Sequence, residues 1–139
     1  MLYLITGANT ITVTLTEKVT IANPQFVFVF VNDNTGKKFA CTSIDISSNI
    51  DRYNQFDISL VTTTPNPLLA EVEFDDYGFY HYYIYEIVDA TTFNYAGINT
   101  TDLRTLTGLV ETGKAYWSAP AIVNYYYKDI KTSIVTYGQ

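Results

Sequence analysis

The sequence is poor in the side chains from which most catalytic and metal centres are built. Its 139 residues include one cysteine, Cys41, and one histidine, His81. A single cysteine excludes a disulfide within the chain, and the usual zinc sites need three or four His, Cys or carboxylate ligands. We therefore predict no catalytic residues, no metal and no cofactor, with Cys41 as a small buried apolar side chain and His81 in a structural or surface role.

Charge is also scarce, and basic charge most of all. Charged residues make up 16% of the chain, against about 25% in an average soluble protein. Eight Lys and Arg residues face fourteen Asp and Glu residues, which gives a net charge of −6. A phosphate backbone is bound by basic surfaces, so this balance disfavours nucleic acid as a partner.

Long apolar runs are missing as well. No stretch approaches the roughly 20 apolar residues that span a bilayer. The opening, "MLYLITGANT", lacks a basic segment, and its apolar run ends at Ile5, which is too short for a signal peptide. We expect a soluble protein without membrane contact, made in a reducing cytosol, where the absence of disulfides is normal.

No helix of ordinary length shows a 3.6-residue period, whereas an alternation of period two runs through the chain. "TITVTLT" (10–16) alternates Thr with Ile11, Val13 and Leu15, and similar patterns predict several further strands. These lie at 25–32, 38–44, 53–61, 70–75 and 77–89, with two strands joined by a turn at Gly113-Lys114 in 106–117 and one or two closing strands in 121–139.

Short strands at this spacing, separated by Gly, Pro and Asn, predict an all-β fold. We expect a single antiparallel β-sandwich domain spanning residues 1–139. Two prolines in 62–69 predict a loop between the sheets. The long polar stretch 90–105 is expected to be a flexible or protruding loop.

Tyrosine is the residue in excess, with thirteen copies. "YGFYHYYIYEIVD" (77–89) is aromatic or apolar on both faces, as is 26–31, although a sandwich strand normally has one wet face. A loop or neighbouring strands could cover the second face; alternatively, it packs on another subunit or stacks on sugars. The predicted interaction surface comprises Tyr80, Tyr82, Tyr83, Tyr125, Tyr126 and Tyr127, with Trp117 either anchoring the contact or lying in the core.

Carboxylates provide the one pattern that could support catalysis. Glu71 and Glu73 share a strand face and precede Asp75 and Asp76, an arrangement that could serve glycoside hydrolysis or calcium binding. Acids two apart on an exposed strand are usually solvated, which favours a structural interpretation. "NDNTG" (32–36) resembles part of a calcium loop, but the missing downstream acid favours a hairpin turn.

Several segments, taken in order, resemble a known group of proteins. These are "TITVTLTEKVTIANPQFVFVFVN" (10–32), "DRYNQFDI" (51–58), "YIYE" (83–86) and "GLVETGKAYW" (108–117). Together they are similar to immunoglobulin-like virion proteins of tailed bacteriophages, in particular those of the crAss-like phages of gut Bacteroidetes. The likeness extends from about residue 10 to residue 137.

The resemblance implies an immunoglobulin-like topology for the β-sandwich and a non-enzymatic structural role in the virion, after synthesis in the host bacterial cytoplasm. It favours an auxiliary (decoration) protein on the capsid exterior that stabilises the shell. A head-fibre, collar or tail component is the alternative, as is a carbohydrate-binding adhesion module that uses surface tyrosines. The expected partners are the major capsid protein or other virion proteins, with self-association and host glycans also open.

Overall fold

A computed structural model describes residues 1–119, which form eight β-strands and four single 3₁₀ turns, without any α-helix in this range. None of its helical segments is long and apolar enough to cross a membrane. The strands are β1 (Leu2–Leu4), β2 (Gly7–Val13), β3 (Gln25–Asn32), β4 (Lys38–Ser43), β5 (Asn54–Leu60), β6 (Glu71–Val72), β7 (Gly78–Ile87) and β8 (Leu109–Trp117). The closing strands predicted in 121–139 lie outside the described residues.

The strands form two sheets that face each other. One has five strands in the order β1-β8-β7-β3-β4, and the other has three in the order β2-β5-β6. The all-β sandwich is therefore confirmed. The prediction of purely antiparallel pairing is wrong at two places, because β1 runs parallel to β8 and β6 runs parallel to β5.

The connection between β5 and β6 explains one of these parallel pairs. It contains the 3₁₀ turn Pro67–Leu69, and it returns the chain so that Glu71 and Val72 pair with Ser59 and Leu60 in the same direction. The prediction that 62–69 joins the two sheets is therefore wrong. This loop stays within the three-stranded sheet.

Aromatic rings fill the space between the sheets. Phe26 and Phe28 of β3 pack edge-to-face on Phe56 of β5, with ring centroids 5.5 and 4.9 Å apart. Such pairs add about 0.5–1.5 kcal/mol to the burial of their area. The alternating apolar residues of β2 and β5 point inward as predicted, and Cys41 is fully buried among them. Burial raises the pKa of the Cys41 thiol to about 12, which makes it an inert apolar side chain.

β8 is a single strand where the sequence predicted two strands and a turn at Gly113-Lys114. Gly113 is a packing residue, because a Cβ at this position would lie 2.7 Å from the Tyr82 hydroxyl oxygen and 2.8 Å from two ring carbons. It pairs directly with Tyr82 of β7. The glycine leaves room for a neighbouring ring and does not turn the chain.

A buried carboxylate fixes the connection between β2 and β3. Glu86, near the end of β7, accepts hydrogen bonds from the backbone N–H of Thr20 at 2.8 Å and of Ile21 at 3.4 Å, and from the Thr20 hydroxyl. Burial acts to raise the pKa of Glu86, but these hydrogen bonds outweigh it, so the pKa lies below its ordinary value. The charged form is therefore the one that holds the loop.

Candidate assembly surface

The second face of the five-stranded sheet is covered over part of its area by residues 88–108, which we call the apron. Ile98 of the apron is buried against Val27, Val29 and Tyr85 of the sheet. Further apron side chains pack on the same cluster, namely Ala90, Phe93, Tyr95, Leu103 and Leu106. Of the predicted alternatives for the second face, a covering loop is the one observed here. The prediction that 90–105 protrudes is wrong.

The polar composition of the apron reflects how it is held. The Asp89 and Asp102 carboxylates accept hydrogen bonds from the backbone N–H two residues later, which opens the 3₁₀ turns Ala90–Thr92 and Leu103–Thr105. The Ala90 N–H donates to the Gln25 side chain of β3 at 2.6 Å, and the Tyr95 hydroxyl donates to the Ala90 carbonyl at 2.8 Å. These polar residues complete the backbone hydrogen bonds of a loop that has no sheet partner.

Three members of the predicted interaction surface lie in the core between the sheets. Tyr80 is 0% exposed, and Tyr82 and Trp117 are also buried. Tyr80 stacks on Phe74 with ring centroids 4.2 Å apart, and Trp117 packs on Phe74 and Tyr77. The prediction of an exposed surface is therefore wrong for Tyr80 and Tyr82, and for Trp117 the core alternative holds. The even-numbered residues of β7 point toward the other sheet. The alternation alone could not show which face of β7 is buried there, because both faces are aromatic or apolar.

The remaining predicted residues have different positions. Tyr83 is half-buried on the second face, beside the cluster that the apron covers. Tyr125, Tyr126 and Tyr127 lie outside the described residues. Of the predicted interaction residues that the structure describes, Tyr83 is therefore the only one near the surface.

A different set of aromatic side chains reaches the surface on this face, with Tyr3 and Phe79 exposed and Tyr116 between them partly exposed. Tyr3 of β1, Tyr116 of β8 and Phe79 of β7 occupy one line across three adjacent strands, because Tyr116 pairs with both Tyr3 and Phe79. We call these three residues the aromatic row. Tyr3 is 77% exposed and Phe79 is 46% exposed, and none of the three residues belongs to the cluster that the apron covers. The Phe79 and Tyr116 ring centroids are 4.9 Å apart, so the rings form a continuous surface.

A small charged network borders the aromatic row. The Asp33 carboxylate lies 2.6 Å from His81 Nδ1 and 3.1 Å from Lys114 Nζ, and the Lys114 ammonium stands 5.4 Å from the centre of the Phe79 ring. Partial burial acts to raise the pKa of Asp33, but the hydrogen bonds from His81 and Lys114 outweigh it and lower the pKa. The His81 side chain is 43% exposed, which agrees with the structural or surface role predicted from the sequence.

The carboxylates considered for catalysis are not gathered into one site. Asp75 accepts hydrogen bonds from Asn32, Thr35 and Tyr80, which fasten the β3–β4 turn to the start of β7. Among residues 1–119, no group of three or more His, Cys, Asp or Glu side chains is placed to hold a metal ion. "NDNTG" is the hairpin turn that the sequence favoured, closed by a hydrogen bond from the Gly36 N–H to the Asn32 carbonyl.

Glu71 and Glu73 do share a groove of about 370 Å³. It lies between β4, the loop before β6 and the middle of the apron. Phe39, Ala40, Val72 and Ile98 supply apolar lining, and Lys38, Asn99 and Tyr95 add polar groups. Glu71 also accepts a hydrogen bond from the Asn66 N–H, which ties it to the fold.

A second apolar surface lies at the opposite corner of the five-stranded sheet. Ile44, Ile46, Leu68 and Leu69 line a groove of about 250 Å³ beside the end of β4, and we call it the aliphatic groove. Ile44 is 82% exposed and Leu69 is 68% exposed. Among residues 1–119, the one charged side chain in the lining of this groove is that of Asp57.

Both surfaces were missed by reasoning from the sequence, although each leaves a signal there. Tyr3 stands between Leu2 and Leu4, which is the alternation of a short strand, and Tyr116 stands between Ala115 and Trp117 in the same way. The aliphatic residues lie in segments rich in turn residues, where apolar side chains have no sheet to enter. Comparison with models of protein families, with curated proteins and with solved structures finds no match for this chain.

Proposed function

We propose that this chain is a non-enzymatic structural protein of a phage virion, an auxiliary (decoration) protein bound to the outside of the capsid. In this role it buries the aromatic row against another subunit of the particle. The observation that carries the proposal is the aromatic row itself: three rings lie side by side on a rigid sheet, with Tyr3 77% and Phe79 46% exposed, outside the cluster that the apron covers. Contiguous exposed apolar surface of this kind is typical of protein interaction sites.

The shape of the molecule supports a role that depends on contact area. A sandwich packed on both faces of its larger sheet presents the row with little conformational freedom, so few side chains need ordering on contact. Apolar area removed from water contributes about 25 cal/mol per Å². A modest contact repeated over a symmetric shell gains further strength from multivalency. The net charge of −6 suits the outside of a capsid better than a surface that faces packaged DNA.

The proposed immunoglobulin-like topology is supported by the strand order. In variable-type immunoglobulin domains one sheet contains the strands G, F, C and C′ in that order, and the other pairs B with E. The neighbours β8-β7-β3-β4 and the antiparallel pair β2–β5 have this arrangement. The parallel pairing of β6 with β5 departs from it, and Cys41 lies free in β4, so the disulfide of antibody domains has no counterpart here.

Mass spectrometry of purified phage particles tests this function. We expect the protein at a copy number comparable with that of the major capsid protein, as decoration of every capsomer requires. Tyr3→Glu should reduce its incorporation, whereas Thr12→Glu, on the exposed face of the three-stranded sheet, should leave incorporation unchanged. Absence of the protein from particles would refute the proposal. A low copy number at one vertex would instead indicate a component of a head fibre, collar or tail.

Glycan binding is a second candidate, and the groove around Glu71 and Glu73 favours it. Its aromatic and aliphatic lining could accept the apolar face of a sugar, while the carboxylates, Lys38 and Asn99 could bond its hydroxyl groups. This site replaces the tyrosines first expected to bind glycans, since Tyr80 and Tyr82 are buried.

A glycan array separates the two candidates. Adhesion predicts binding that is lost in Glu73→Gln and retained in Tyr3→Glu. If the chain is a decoration protein, incorporation into particles should instead be reduced in Tyr3→Glu and retained in Glu73→Gln. An unchanged array signal in Glu73→Gln would exclude this groove as the glycan site.

A further inference from the structure

The connection between β2 and β3 (residues 14–24), which we call the strap, is held at two places by groups of different chemistry. Near its start, the side-chain oxygen of Asn54 accepts a hydrogen bond from the backbone N–H of Leu15 at 2.7 Å, and both residues are buried. Near its end, the Glu86 carboxylate accepts hydrogen bonds from the backbone N–H and the hydroxyl of Thr20. A neutral amide therefore anchors the first half of the strap, and an ionisable group anchors the second half.

Glu86 is the main attachment of the second half of the strap. No residue of the strap belongs to a β-strand, so it lacks the ladder of hydrogen bonds that holds a sheet together. Val19 is half-buried against the core, and Lys18 forms an ion pair with Glu111 of β8 at 2.9 Å. That pair is exposed to solvent, and exposed pairs of this kind contribute little to stability. The hydrogen bonds to Glu86 are stronger, because the acceptor is charged and only 6% exposed.

No basic side chain accompanies the Glu86 carboxylate, which takes part in no ion pair within the part of the chain that the structure describes. Of the charged groups on the strap and its neighbours, Lys18 is paired with Glu111, Glu17 is exposed, and the Asp89 carboxylate is bonded within the apron. The negative charge of Glu86 is therefore stabilised by donors of the strap, which lower its pKa. Since these donors leave when the strap leaves, attachment of the strap and ionisation of Glu86 are coupled.

We propose that the second half of the strap is an acid-sensitive latch, in which protonation of Glu86 releases residues 17–22 from β7 while the two sheets stay folded. A neutral carboxyl group is a weaker acceptor than a carboxylate, and its proton occupies one of the two oxygens that the strap donors use. Release would also change a groove of about 420 Å³, because Ile21 of the strap lines it together with Val27 and Tyr85. Opening the latch would thus expose part of the apolar cluster beneath the apron.

The direction of the pH effect follows from the lowered pKa of Glu86 in the closed state. When the strap is released, the carboxyl group returns toward its ordinary pKa of about 4.3. The latch is therefore fully closed above that value, and it opens as the pH falls through the closed-state pKa. The ratio of open to closed molecules should rise about tenfold for each pH unit by which closure lowers the pKa.

Hydrogen exchange of the full-length protein, followed by NMR across the titration of Glu86, tests the latch. Protection factors of the Thr20 and Ile21 amides, corrected for the intrinsic pH dependence of exchange, should fall in acid. Those of Leu15, at the other anchor, and of Val29, in the middle of β3, should change much less. An NMR titration of the Glu86 carboxyl group measures its pKa independently, so it fixes the size of the expected fall in advance.

Two variants separate the latch from general acid sensitivity. Glu86→Gln should leave the Thr20 amide weakly protected at every pH, without a further fall in acid. The matched control Glu111→Gln breaks only the exposed pair with Lys18 and should retain the wild-type pH dependence.

The inference is overturned if Thr20 protection stays constant through the Glu86 titration, or if it falls together with that of Val29, as in global unfolding. If Glu86→Gln fails to fold, the comparison of Thr20 with Val29 in the wild type decides between the latch and global unfolding. Particle incorporation is measured separately, so a strap that stays closed in acid would leave the proposed virion role standing.

Discussion

The two halves of the outer face of the five-stranded sheet have similar side chains and different neighbours. Around Tyr85, Val27 and Val29 the apron supplies a second hydrophobic cluster, and this half belongs to the interior. Around Tyr3, Phe79 and Tyr116 no described residue does so, and this half remains surface. Phe79 and Tyr85 lie on the same strand and the same face. Whether each of these two rings is buried depends on the apron, which begins after β7 has ended, and not on the sequence of β7 itself.

The largest expected effect comes from breaking the covered half. Tyr85→Ala should lower the free energy of unfolding by about 3–5 kcal/mol, because it removes a buried ring beneath the apron. Phe79→Ala, six residues earlier on the same face, should cost less than about 1 kcal/mol. Urea unfolding followed by tryptophan fluorescence of Trp117 measures both. Equal losses for the two variants would contradict the division of this face into interior and surface.

A second substitution tests the inner side of the same strands. Gly113→Ala should destabilise the fold by about 1–3 kcal/mol, since the new methyl group overlaps the buried Tyr82 ring. Thermal unfolding of a double-mutant cycle with Tyr82→Leu isolates this overlap. In the Tyr82→Leu background the cost of Gly113→Ala should shrink toward zero. A cost that is unchanged there would point to backbone conformation and not to the ring.

The third prediction concerns Glu86, which holds the connection between β2 and β3 through hydrogen bonds. The apron, in contrast, packs on the sheet through apolar side chains. Glu86→Gln should cost about 1–3 kcal/mol at neutral pH, because hydrogen bonds to a charged acceptor are lost. The pKa of Glu86 is lowered in the folded state, so its stabilisation is complete above the ordinary glutamate pKa of about 4.3 and is lost as the pH falls through the folded value. The difference between wild type and variant should therefore narrow in acid. Urea titrations across this pH range measure it, and a difference independent of pH would contradict the assignment.

The smallest effect is expected at the border of the aromatic row. Lys114→Met should change the free energy of unfolding by less than about 1 kcal/mol, because its pair with Asp33 is exposed to solvent. A loss of stability larger than that of Gly113→Ala would show that this network is structural.

The sequence predicted those parts of the fold in which alternation is clear. β3 spans the predicted residues, β4 and β5 agree within one residue at each end, and the inward residues of β2 and β5 are correct. β1 has only three residues, so its alternation is too short to identify a strand, and Gly113 has the appearance of a turn residue although its role is steric. The parallel pairings depend on where the chain returns, which local patterns do not encode.

The candidate surface was harder to predict for a physical reason. β7 is aromatic on both faces, so period two identifies the strand without saying which face meets the other sheet. Tyr80 and Tyr82 carry hydroxyl groups that suggest a surface, yet the Tyr80 hydroxyl is bonded within the fold to Asp75 and the carbonyl of Asp76. The polar residues of the apron predict an exposed loop, whereas its few apolar residues cover part of the five-stranded sheet.

The parallel pairing of β1 with β8 determines how the domain responds to force. A pull applied between Met1 and Ala119 draws these strands in opposite directions along their common axis, so the ladder from Leu2 to Leu4 is loaded in shear and its hydrogen bonds share the tension. Forced unfolding is governed by the barrier to rupture and not by the equilibrium stability. A chain pulled in this direction would have to break the three paired residues of β1 together before the sheet opens.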